Sequence, residues 1–200
     1  MNIVGFIGSP RKDGNTAWLV RQILEGAREA GAETRAWHSG ELDIRPCQGC
    51  LGCKQGEPGC VIDDDMQALY AALEGADVLV LGSPLYMGQM SAQTKAFTDR
   101  LFAQISPRFS PHYTERAAKK ALVLAFTQGN PDSGMFQPYY DYTKRVFQML
   151  EFDVRDICVV AGMRNEAARE RKGLLAAARG IGASLLTASG AVRGKDESEV

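Results

Sequence analysis

The run ADVLVLGSP, Ala76 to Pro84, limits this chain more than any other feature. It is apolar without alternation, so a strand made from it has to be covered on both faces, the condition of a central strand in a parallel sheet. IVGFI (Ile3 to Ile7), KKALVLAFT (Lys119 to Thr127) and VRDICVVAG (Val154 to Gly162) share that character, and Glu33 to His38 is a weaker fifth candidate. Stretches with helical spacing separate them. Ala17 to Ala30 puts Trp18, Leu19, Ile23, Leu24 and Ala27 on one face. Further helices are expected at DDMQALYAAL, from about Ser91 to Gln104, from Met135 to Leu150 and from Glu166 to Ala188. Asp64 and Gln67 have the spacing of a capping box at the start of the second of these helices. Five strands alternating with five helices predict an α/β three-layer sandwich, a five-stranded parallel sheet with helices on both faces. Right-handed crossovers then favour the strand order 2-1-3-4-5.

No internal repeat or linker divides the chain, so residues 1–189 are read as one domain with a cysteine loop, 46–62, inserted after the second strand. The polar stretch 190–200 is expected to be a frayed tail. Acidic and basic residues are mixed along the sequence and the net charge is −1. That argues against nucleic acid or an anionic membrane surface as the main partner, because both need a basic face. No apolar run approaches the roughly 20 residues of a membrane span. The opening MNIVGFIGSPRK is too briefly apolar for a signal peptide. A cytoplasmic location is expected, where thiols stay reduced and clustered cysteines bind metal or do redox chemistry more often than they cross-link.

Three loops fall at the carboxyl ends of strands, where an open α/β sheet binds its ligands. GSPRKDGNT, Gly8 to Thr16, is neither a Walker A loop nor GxGxxG. It offers the hydroxyls of Ser9 and Thr16, the amide of Asn15, the guanidinium of Arg11 and the N–H groups of a helix start, a set suited to a phosphomonoester. Helix capping by the same residues is the plainer alternative. SPLYMGQMSAQTK follows the third strand, where Ser83, Pro84, Tyr86, Met87 and Gly88 give an aromatic, soft backbone that can lie against a flat ring. TQGNPDSG, Thr127 to Gly134, has similar small polar chemistry; ordinary turn residues would look alike.

PCQGCLGCKQGEPGC holds four of the five cysteines. Cys47, Cys50, Cys53 and Cys60 are spaced C-x2-C-x2-C-x6-C, three in the compact run of bacterial ferredoxins and a distal fourth that completes a ligand set for a 4Fe–4S cluster. Gly49, Gly52, Gly56 and Gly59 let the chain wrap tightly. Zinc, a disulfide such as Cys50 with Cys60, and free thiols lining a pocket remain open. Cys158 reads as a small buried residue of the fifth strand.

GSPRKDGNT, GSPLYMGQMSAQTKAFTDR and the cysteine loop ending CVIDDDM resemble, in this order, the NAD(P)H-dependent FMN reductase family, and within it the iron–sulfur flavoproteins. The resemblance runs to about Gly162. It implies a flavodoxin-like fold, non-covalent FMN, NAD(P)H as co-substrate, and a homodimer or homotetramer. By position, Ser9, Arg11, Asn15 and Thr16 are then expected to hold the FMN phosphate. Pro84, Leu85, Tyr86, Met87 and Gly88 would line the ribityl chain and ring, and Thr127, Gln128 and Gly129 the ring's other side. The implied activity is transfer of electrons from NAD(P)H or a reduced carrier to flavin, quinone or a ferredoxin-like partner, with the flavin rather than a side chain carrying the chemistry. A non-catalytic flavodoxin-type carrier or redox sensor is the competing expectation, and a zinc-stabilised module without flavin a third.

Other residues have simpler readings. His38 and His112 lack partner spacing and are expected at a surface or interface. Asp63 to Asp65 read as a helix cap, and Tyr139, Tyr140 and Tyr142 as interface residues. Arg108, His112, Tyr113 and Arg116 lie in an irregular stretch with no assigned role.

Overall fold

A computed structural model of the chain describes residues 1–55, 59–104 and 119–190, without the side chains of 188–190. The order is β1 (Asn2–Ile7), α1 (Asn15–Glu29), β2 (Glu33–His38), α2 (Met66–Glu74), β3 (Val78–Tyr86), β4 (Gln89–Met90), α3 (Ala92–Arg100), β5 (Lys120–Thr127), α4 (Gln137–Met149), β6 (Phe152–Val160) and α5 (Leu174–Gly190). Five strands pair in the order β2-β1-β3-β5-β6, every pair parallel. This is the expected 2-1-3-4-5 sheet. The added sixth strand, β4, is a two-residue antiparallel partner to the end of β3.

Alternation along each strand divides the core between two faces. Phe6, Leu79, Leu81, Leu122, Leu124 and Phe126 pack on one face with Met66, Leu69, Phe97, Tyr140 and Phe147 from α2, α3 and α4. Ile3, Ile7, Val78, Val80, Val123 and Ala125 pack on the other with Leu19, Val20, Ile23 and Ala178 from α1 and α5. Such two-sided burial is why the strands read as continuous apolar runs.

Helices α1 and α5 meet through glycine. A Cβ on Gly182 would stand 1.9 Å from the Ile23 carbonyl oxygen, and one on Gly26 would stand 2.1 Å from that of Arg179. Both obstacles are backbone, so neither can rotate away. Gly182→Ala is expected to lower stability by about 2 kcal/mol, read as a lower urea midpoint at unchanged slope. An unchanged midpoint would mean that this contact is looser than described.

Two expectations about the helices need correction. The last helix starts at Leu174, not Glu166. Residues 163–173 instead dock on the β1–α1 loop: the Ala168 N–H donates to Asn15 Oδ1 (2.9 Å) and Arg169 donates to the Asp13 carbonyl (3.1 Å). The capping box does not form either. Gln67 Nε2 donates to the carbonyls of Cys60 (2.9 Å) and Ile62 (2.7 Å), which ties the cysteine loop to α2. Arg108, His112, Tyr113, Arg116, Gly56 and the tail 191–200 lie outside the described residues. No helix among the described residues is long and apolar enough to cross a membrane.

Candidate functional site

The carboxyl ends of β1, β3 and β5 bring the three loops together. Gly8 leaves β1 with its N–H on the Gly82 carbonyl (2.8 Å), and a Cβ there would strike Thr94 Oγ1 and the Gly82 oxygen. Only glycine lets β1, β3 and α3 approach so closely. Ser9 is buried, and its Oγ accepts the Arg11 N–H (3.2 Å). Thr16 Oγ1 lies 2.6 Å from Thr127 Oγ1 inside the protein, so the first loop is latched to the end of β5.

The side chains of this loop do not cap helix α1. Its N-cap is Gly14, no side chain caps it, and its first turn carries no acid. The leading N–H groups of α1 are therefore served by none of the loop's Ser, Asn or Thr side chains, which leaves an electropositive helix start. Asn15 uses its Oδ1 on Ala168, so its Nδ2 donors remain for a ligand. These donors fit the dianionic phosphate of a mononucleotide.

The second loop is a hairpin. Leu85 pairs with Met90 and Tyr86 with Gln89, leaving Met87 and Gly88 as a two-residue turn with φ of 50° and 78°. Both central residues are left-handed, as in a type I′ turn. Met87 holds this unfavourable conformation fully exposed, beside a half-exposed Tyr86, whereas Pro84 and Leu85 are buried. Strain of this kind persists where the surroundings impose it, and it concentrates at functional sites. Below the turn, Ser83, Ser91 and Thr94 form a buried hydroxyl network. Thr94 Oγ1 donates to Ser83 Oγ (2.9 Å), and Ser91 caps α3 while its hydroxyl donates to the Gly8 carbonyl. Neither Ser91 nor Thr94 stands out in the sequence as part of a site, although SAQT has N-cap spacing.

The third loop is held from within. Gln128 is buried; its Nε2 donates to the Asn130 (3.1 Å) and Asp132 (2.7 Å) carbonyls, while its Oε1 accepts the Tyr140 hydroxyl. The Gln128 side chain thus shapes this loop, and Gly129 beside it lies under the Arg164 side chain. Tyr139 accepts the Met90 N–H (2.9 Å), so α4 supports the hairpin. Tyr139 and Tyr140 are therefore interior struts, and of the three tyrosines only Tyr142 faces outward. Burial pushes the Tyr140 hydroxyl up to about 12. His38 is also buried, at the end of β2, with Nδ1 accepting the Gly40 N–H (3.0 Å) and Nε2 unpartnered.

In the cysteine loop, Cys47 and Cys50 are exposed and Cys53 and Cys60 partly buried. Burial pushes the Cys53 thiol up; Lys54 opposes this, and charge at Cys60 and Cys47 adds to it, so these three share one neighbourhood. Among the described residues, however, no three Cys, His, Asp or Glu side chains converge as ligands of one ion. The backbone has a suitable form: Gly49 (φ 65°) and Leu51 (φ 57°) are left-handed, and a right-handed 3-10 turn follows at Gly52–Lys54. Left- and right-handed residues in succession turn N–H groups inward, as in the concavities that hold phosphates and iron–sulfur clusters. Soft thiolates in this number suit iron–sulfur, and such sites commonly order as metal binds.

Cys158 is different. Burial pushes its thiol up to about 11. Iodoacetamide at mildly alkaline pH is expected to modify Cys47 and Cys50 readily and Cys158 about a hundredfold more slowly, scored by peptide mass spectrometry. Equal rates would contradict its placement.

Comparison with known proteins agrees with this architecture. The sequence model for NADPH-dependent FMN reductase matches residues 1–151. An iron–sulfur flavoprotein of Methanocaldococcus jannaschii is 42% identical over 100 residues, covering 50% of this chain and 51% of the relative. One of Methanosarcina thermophila is 40% identical over 100 residues, covering 50% and 52%. The chain thus spans about half the length of the curated relatives it matches. The solved structure of an NAD(P)H:quinone oxidoreductase from Methanothermobacter marburgensis shares the fold, with a TM-score of 0.68 over 93% of this chain and 97% of that one at 17% identity. On the match over residues 1–151, the chain belongs to the NADPH-dependent FMN reductase family.

Proposed function

We propose that this protein is an FMN-dependent oxidoreductase that passes electrons from NAD(P)H or a reduced carrier to flavin, quinone or an electron-transfer partner, with a 4Fe–4S cluster in the cysteine loop. The observation that carries the flavin reading is the uncapped start of α1 beside buried Ser9 and Thr16, latched to β5 through Thr127. Ser9, Arg11, Asn15 and Thr16 hold the phosphate. Pro84, Leu85, Tyr86, Met87 and Gly88 present backbone and soft side chains to the ring, and Thr127, Gln128 and Gly129 bound its other side. When bound, FMN supplies the hydride-accepting chemistry, so no side-chain acid or base has to act. The protein's part is to orient the ring, exclude water behind Pro84 and Leu85, and leave the Met87 turn open for a second reactant.

Relatives named iron–sulfur flavoproteins support the cluster, as does the four-thiol donor set. The exposed Tyr86 and Met87 supply an apolar edge for a second copy of the chain, in keeping with a homodimer or homotetramer. Two experiments test the proposal. Steady-state oxidation of NADH or NADPH with a quinone acceptor is expected; a protein that holds FMN yet catalyses neither is a carrier of flavodoxin type. Protein purified without oxygen is expected to hold about four irons and four acid-labile sulfides per chain. Flavin without iron would reduce the cysteines to loop thiols.

A further inference from the structure

The base of the cysteine loop is closed by one buried ion pair. Arg100, at the end of α3, and Asp64 have side chains 0% and 1% exposed, with contacts of 2.7 and 3.0 Å between the guanidinium and both carboxylate oxygens. The same guanidinium donates to the Arg45 carbonyl (2.9 Å), two residues before Cys47, and reaches the Ile62 carbonyl (3.4 Å), two residues after Cys60. Asp64 completes the ring by accepting the Arg45 N–H (2.9 Å). Asp65 accepts the Asp43 N–H (2.7 Å), so 43–45 and 63–65 are zipped together.

A buried ion pair is a poor way to gain stability, since apolar residues of similar volume serve as well or better. Its geometry here accomplishes what apolar residues could not, because it binds both ends of a seventeen-residue loop (46–62) to a single group. Arg100 Nε–H, moreover, is buried without a partner. A donor left so forfeits its hydration.

We propose that the Arg100–Asp64 pair is the positioning clamp of the cysteine loop, setting the separation of Cys47 and Cys60. The metal part of this inference rests on the cluster reading; the clamp itself does not.

The test compares wild type with R100M/D64L, each loaded with FMN and reconstituted anaerobically with iron and sulfide. R100M/D64L replaces the pair by apolar side chains, so it is expected to fold and bind FMN as wild type does while retaining under about a tenth of the iron. Its iron-free form is expected to alkylate at Cys60 roughly tenfold faster, with already exposed Cys50 unchanged. Wild-type iron content together with an unchanged Cys60 rate in the double variant overturns the clamp. If wild type itself takes up no iron, the cluster reading fails, and the Cys60 alkylation ratio alone decides the clamp.

Discussion

Replacing Ser9 and Thr16 together by Ala is expected to weaken FMN binding about a hundredfold while leaving the protein folded. Hydrogen bonds to a charged group contribute roughly 1.5–3 kcal/mol each, and about 2.8 kcal/mol is a hundredfold in Kd. Both hydroxyls are buried at the start of α1, where no side chain caps the helix. The structural cost is smaller, since Ser9 Oγ supports one turn through the Arg11 N–H and Thr16 Oγ1 shares one bond with Thr127. Flavin titration followed by fluorescence quenching, beside a urea unfolding curve, separates the two effects. Wild-type flavin affinity in the double variant would place the phosphate elsewhere.

The second large effect concerns stability. Asp64→Ala alone is expected to destabilise by about 3–5 kcal/mol, because it strands the Arg100 guanidinium in the interior without its counter-charge. Burial works against the Asp64 carboxylate, but hydrogen bonds from Arg100 and from the Arg45 and Met66 N–H groups outweigh it and hold the group below the usual carboxylate range. A depressed folded-state value means that the contribution is fully present above the unfolded value near 4 and is lost as pH falls through the folded one. The difference in unfolding free energy between wild type and the variant should therefore be constant at neutral pH and shrink in acid below about pH 4. A difference that grew on acidification would reverse the sign of this argument.

How much of this was legible in advance follows from the range of each interaction. The strands could be read because two-sided burial writes itself into consecutive residues, as in Val78 to Leu81. The sheet order followed from strand count and handedness, and the loops at the strand ends followed from the order. The β3–β4 hairpin was hidden, because its turn is Met87–Gly88 rather than the Asn-Gly or Asp-Gly that advertises such a turn. The true start of α5 was masked by NEAARERKGLLAAA, which has helical composition throughout; the docking of Ala168 on Asn15 and the left-handed Gly173 (φ 80°) set the boundary.

Arg100 was the most opaque residue. In TDRLFAQ it looks like a surface charge, and its partner lies 36 residues earlier in a stretch that reads as a helix cap. The three aspartates are explained jointly by the base of the cysteine loop: Asp63 lends its carbonyl to Arg45, Asp64 pairs with Arg100, and Asp65 accepts the Asp43 N–H. His38 was misplaced for a similar reason. One isolated imidazole carries no pattern, and its burial is set by the docking of the β1–α1 loop, where Ser39 donates to the Ser9 carbonyl (3.3 Å) and Lys12 pairs with Glu41 (2.7 Å).

The central claim is that the crevice bounded by Gly8 to Thr16, Pro84 to Gly88 and Thr127 to Gly129 holds an FMN that accepts electrons from a nicotinamide. Its most direct test is to load the protein with FMN, remove free flavin, and mix it anaerobically with NADH or NADPH while following the flavin's visible absorbance. The account predicts one FMN retained per chain and bleaching at a rate that saturates with nicotinamide concentration. Flavin lost on desalting would contradict the site; flavin retained but never bleached by either nicotinamide would contradict the reductase.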